Sequence, residues 1–138
     1  MDRIDLQRLA ETRLKDAEVL LSAQCWSAAY YLVGYAVECG LKACASRQFG
    51  EHVVPEKKLV SDFYTHEIER LLNTSGVKTS KEFRAVADRE FRLNWATVCA
   101  WNEQSRYDHA ISETMARDMY AAVAEPASGV LSWLKMVW

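Results

Sequence analysis

The chain has 138 residues, half of them hydrophobic and about a quarter charged, an ordinary composition for one globular domain with its own core. A net charge of -2 at pH 7 excludes a global basic field that would draw the chain onto nucleic acid or an acidic membrane, though not a local basic patch. The four cysteines, Cys25, Cys39, Cys44 and Cys99, show no paired spacing, so a zinc site is not expected and small buried thiols are.

The N-terminal stretch is charged and lacks the apolar core of a signal peptide. Residues 3–23 read as a first helix with a stripe of Leu6, Ala10, Leu14, Ala17 and Leu21. The short break after it predicts that the second helix returns antiparallel.

That second helix, residues 25–48, dominates the chain. Between Gln24 and Arg47 its only charges are Glu38 and Lys42, and it contains no proline. One apolar row runs through Trp26, Tyr30, Val33, Val37, Leu41 and Cys44, and a second through Ala28, Leu32, Tyr35 and Cys39. A helix apolar on more than one face needs cover on more than one face. It is expected to be central, shared between the core and a subunit interface. Its uncharged run, residues 25–37, is too short to span a bilayer. A soluble cytoplasmic protein without a membrane partner is expected.

Gly50 is placed to stop this helix in the left-handed conformation. Residues 51–64 show no period and read as a loop. A short helix over 65–74 turns Ile68, Leu71 and Leu72 inward, with Gly76 beyond its end. Thr79 and Glu82 have capping-box spacing and open a helix predicted to run to residue 102. Phe83, Ala87, Phe91, Asn94, Val98 and Trp101 form its stripe. Residues 103–111 are polar and read as a connection. Ser112 caps the last helix, and Pro126 should kink or break it. There is no strand candidate and no repeat. The expected architecture is all-α: an up-and-down four-helix bundle with one short additional helix, in a single domain over 1–138.

Several residues could carry chemistry. Glu38 and Lys42 stand at i and i+4, in the favourable order for an ion pair that either fixes register or borders a pocket. His66 opens the short helix. Arg106, Tyr107, Asp108 and His109 form the densest polar cluster, in a connection, where binding residues concentrate. Histidine with arginine can hold a phosphate and move a proton near neutral pH. Lys78, Lys81, Arg84, Arg89 and Arg92 form a weaker basic row, diluted by Glu82, Asp88 and Glu90. No metal-ligand set and no cofactor motif is present.

The run Ala29-Tyr30-Tyr31-Leu32, then Gly34-Tyr35-Ala36, Glu38 and Leu41-Lys42-Ala43 resembles the second helix of the HEPN domain family (higher eukaryotes and prokaryotes nucleotide-binding). His66 followed by Leu71 and Leu72 is similar to that family's short helix. Trp101 with Glu103, Arg106 and Tyr107 is similar to the segment before its last helix. The resemblance implies a homodimeric helical module in a toxin–antitoxin or defence-type system. It would bind nucleotide, RNA or a partner protein at Glu38, Lys42, His66, Tyr107 and Asp108. Active members are metal-independent endoribonucleases with Arg, four to six residues, then His. Here Arg106 and His109 occupy that place with two residues between them, a departure that argues against catalysis. Arg47 and His52 have a permitted spacing but lie after the second helix. Three readings stay open. One is a non-catalytic module, and one is a ribonuclease in which Arg106 and His109 act on the phosphate. The third is a partner of a minimal nucleotidyltransferase, modified on Tyr107.

Overall fold

The computed structural model describes residues 1–50, 54, 56–107 and 110–138, with the backbone alone for Arg106. Among the described residues every regular element is helical: α1 (Arg3–Ser22), α2 (Trp26–Ser46), α3 (Lys57–Phe63), α4 (Ile68–Ser75), α5 (Lys78–Ala87), α6 (Arg89–Cys99), a 3-10 turn (Glu103–Tyr107), α7 (Glu113–Ala124) and α8 (Val130–Val137).

α1 starts at a reciprocal cap. The Asp2 carboxylate accepts from Asp5 N at 2.8 Å, and the Asp5 carboxylate accepts from Asp2 N at 3.1 Å. Leu6, Ala10, Ala17 and Leu21 are buried as the stripe requires. Gln24, at φ 62, turns the chain, and Cys25 N donates to Leu20 O at 2.9 Å. α2 then runs back along α1, so that the start of α1 and the end of α2 wall one cavity.

α2 is central. It packs against α1, α4, α7, α8 and the 3-10 turn. Val33, Val37, Leu41 and Cys44 of the first row are fully buried, and Tyr30 nearly so. Burying a side chain such as Leu41 contributes about 1.5–3 kcal/mol. Cover is incomplete along one flank, where Ala28 is exposed and Tyr31, Leu32 and Tyr35 are half-buried.

The helix boundaries depart from expectation in several places. α2 stops at Ser46, with Arg47 as a right-handed cap donating to the Cys44 and Ala45 carbonyls, so Gly50 is not its stop. Residues 57–63 of the expected loop form α3. The short helix begins at Ile68, because residues 65–67 are not helical, and it ends at Gly76 in the left-handed region, φ 82. The helix expected over 79–102 is two helices. α5 begins at Lys78 without a side-chain cap, which places Thr79 inside the helix rather than at its start. Asp88 then leaves helical geometry at φ -130, ψ 103, and its carboxylate caps α6 by accepting from Phe91 N at 3.1 Å. The stripe therefore holds from Phe91 onward, through Val98 and Trp101, while Phe83 is 79% exposed. Ser112 caps α7 through Met115 N at 3.1 Å. The chain leaves α7 at Ala124, just before Pro126, and resumes at Val130.

No helix among the described residues is long and apolar enough to cross a membrane.

Candidate functional site

Two segments, the lead-in to α4 and the 3-10 turn, converge on the middle of α2. Glu38 lies there, buried, and one oxygen, Oε1, takes two partners. Lys42 Nζ donates to it at 2.9 Å from one turn further along the helix. His66 Nδ1 lies 2.9 Å from the same atom, brought in by the lead-in to α4. That lead-in is held locally: Thr65 Oγ1 accepts from Glu67 N at 3.2 Å, and Glu67 has the extended geometry of a helix N-cap. His66 Nε2 faces the other way, 3.4 Å from Glu103 Oε2 on the 3-10 turn.

The energetics explain why Glu38 is paired. A buried carboxylate is costly unless paired and hydrogen-bonded, and Oε1 meets that demand. Among the described residues the buried Oε2 has no hydrogen-bond partner. Lys42 Nζ also lies 5.8 Å from the centroid of the Phe63 ring, a cation–π separation.

Beside Glu38 on α2, the Trp101 indole lies against Gly34, where a β-carbon would collide with the ring. Tyr31 lies near both Trp101 and Tyr35, with ring centroids 6.0 and 6.2 Å away. Burial, then the neighbouring Cys39 and Glu38, push the Tyr35 hydroxyl up to about 12. Burial pushes the Cys39 thiol up to about 11. Neither supplies an anionic nucleophile at neutral pH.

His66 opens onto a cleft of about 410 Å³, lined by Thr65, Glu67, Asn102, Glu103, Gln104 and the imidazole itself. His66 is half-exposed, its side chain 48% accessible. Carboxylates and amides dominate this wall. Such a surface accepts from N–H groups and repels a phosphate placed against it. Among the described residues no group of three or more histidine, cysteine or acidic side chains is arranged to hold a metal ion. The two imidazole nitrogens already face different carboxylates.

Of the residues singled out from sequence, Glu38, Lys42 and His66 are brought into direct contact. Tyr107 lies on the 3-10 turn, 64% exposed. The Arg106 backbone belongs to that turn, but its side chain, with Asp108 and His109, lies outside the described residues, as does His52. The basic row is largely occupied within the fold. Arg84 donates to Ala127 O at 2.7 Å and lies 3.4 Å from Asp88 Oδ2. Arg92 donates to Ala85 O at 2.8 Å, and Lys81 sits 5.2 Å from the Trp95 ring centroid. Sequence reasoning did not place Glu67 or Glu103 in the site, nor pair Trp101 with Gly34. The spacing of Trp101 and Glu103 was the available signal.

Comparison with protein-family models, curated proteins and solved structures finds no significant match to this chain.

Proposed function

We propose that this chain is a HEPN-like module that binds a nucleotide or an RNA segment without cutting it. The carrying observation is the half-exposed His66, oriented by the buried Glu38, at the edge of a cleft walled by Asn102, Glu103 and Gln104. Carboxylate and amide acceptors beside an imidazole suit the N–H edge of a base rather than its phosphate. In this reading α1, α2, the α5–α6 pair and the α7–α8 pair are the four members of an up-and-down bundle. A second copy covers the flank of α2 that carries Ala28, Tyr31, Leu32 and Tyr35. The resemblance around α2 and the incomplete cover of that flank support the homodimer.

The test is titration of the full chain with purine and pyrimidine nucleotides and with a short single-stranded RNA, followed by amide NMR and calorimetry. Shifts centred on residues 65–67 and 102–104 are expected, with the RNA intact. His66→Ala and Glu103→Gln should each weaken binding roughly tenfold, about 1.4 kcal/mol. Absence of nucleotide and RNA binding overturns the reading. RNA cleavage that His109→Ala abolishes replaces it with the ribonuclease.

A further inference from the structure

A second cavity, separate from the His66 cleft, opens where the start of α1, the end of α2 and α3 meet. Its volume is about 650 Å³, within the span of roughly 300–1,000 Å³ usual for small-molecule sites. Leu6, Phe49, Val60 and Phe63 supply an apolar lining. Phe49 and Phe63 meet edge to face with centroids 5.2 Å apart, and Phe63 meets Tyr64 in the same way at 5.4 Å. These rings form an aromatic corner.

The polar part of the lining includes two cations beside Asp2, Ser46 and Tyr64. Arg3 and Arg47 both contribute to it. Arg47 follows the last residue of α2, and its Nε donates to Cys44 O at 3.3 Å. That anchors the guanidinium and leaves its two terminal nitrogens for another partner. Among the described residues neither Arg3 nor Arg47 has an acidic partner. Asp2, the acidic residue of the lining, is engaged in the cap of α1. Ser46 is engaged too, donating to Ala43 O at 2.7 Å. Both guanidinium groups also act electrostatically on the buried Cys44 thiol, against the effect of its burial.

An apolar corner with two available arginines, its Asp2 and Ser46 already engaged, selects for an apolar body with one anionic end. We propose that this cavity binds a small amphipathic carboxylate, its aromatic or medium-chain acyl body against Phe49 and Phe63 and its carboxylate between Arg3 and Arg47. Arginine pairs with a carboxylate through two parallel N–H donors, which fixes the orientation of the bound molecule. A nucleotide would need partners for its sugar and base edges, and this lining offers few.

The test uses the full chain and two fluorescent probes of similar body. One is anionic, 8-anilinonaphthalene-1-sulfonate; the other is neutral, N-phenyl-1-naphthylamine. The anionic probe should bind with one-to-one stoichiometry and be displaced by decanoate. The double variant Arg3→Gln, Arg47→Gln should weaken the anionic probe about tenfold, a loss of about 1.4 kcal/mol, and the neutral probe by less than about twofold. Both arginines are exposed, so an unchanged circular dichroism spectrum is expected and verifies the fold. His66→Ala should leave both probes unaffected, which separates this site from the cleft. Absence of stoichiometric binding, failure of decanoate to compete, or equal weakening of the two probes overturns the proposal.

Discussion

The indole of Trp101 occupies the space that a side chain at position 34 would need, so Gly34 is where the end of the α6 segment closes onto α2. Trp101 is 4% exposed and Gly34 is buried. Glu103, two residues beyond Trp101, then reaches His66. The contact that packs the core also delivers a carboxylate to the cleft. Gly34→Ala should force the indole to move. A loss of about 1–3 kcal/mol is expected, the usual cost of overpacking, together with a changed environment at His66. Urea unfolding followed by tryptophan fluorescence measures the first, and the His66 ring resonances report the second.

Lys42 holds a buried carboxylate in place. In Lys42→Met, Glu38 keeps His66 but loses its ammonium partner. Breaking a buried pair from one side costs about 3–5 kcal/mol, and the slight exposure of Lys42 places this case near about 3. Glu38→Gln with Lys42→Met should recover part of that loss. Recovery is expected because the stranded charge, rather than the missing attraction, is the main cost. Chemical denaturation of the single and double variants gives the coupling directly.

Phe83 and Phe91 stand on one expected stripe and have opposite surroundings. Phe91 is fully buried against Trp95 and Trp133, while Phe83 is exposed. Phe91→Ala should cost about 3–5 kcal/mol. Phe83→Ser should change stability by less than about 0.5 kcal/mol. A large loss at Phe83 would show that it is covered in solution.

Alkaline pH should destabilise the fold. Burial pushes the Cys39 and Cys44 thiols from 9.0 to about 11, Cys99 to about 12 and the Tyr35 hydroxyl from 10.0 to about 12. The folded chain keeps these protons where the unfolded chain has released them. Their contribution is therefore complete below pH 9 and is lost as pH rises toward 12. The urea midpoint should fall between pH 8 and pH 11. At neutral pH a thiol reagent should modify the exposed Cys25 well before the other three.

The Asp88 carboxylate should show the opposite dependence. Hydrogen bonds from Phe91 N and Ser128 Oγ, with Arg84 beside it, hold it below its usual 3.8. Its contribution is present above that pH and disappears as pH falls through the lowered value. Asp88→Ala should reduce stability at neutral pH, and the difference from the parent chain should vanish in strong acid. Thermal unfolding across the acid range checks both limbs.

The order of apolar and polar residues was enough to identify an all-helical chain, the central place of α2, the Ser112 cap and the interruption at Pro126. These are local consequences of side-chain period, hydrogen-bonding capacity and proline geometry. The pairing of Glu38 with Lys42 was legible for the same reason, since four residues on a helix make neighbours. Tertiary structure decided the rest. Asp88 breaks a helix that carries no proline or glycine there, because its carboxylate caps α6 and accepts from Ser128, 40 residues away. His66 meets Glu38 across 28 residues of chain and Glu103 across 37. No period in the sequence encodes such meetings. They exist because Trp101 seats on Gly34 and α4 packs on α2, and contacts between distant segments are set by how whole elements fit together.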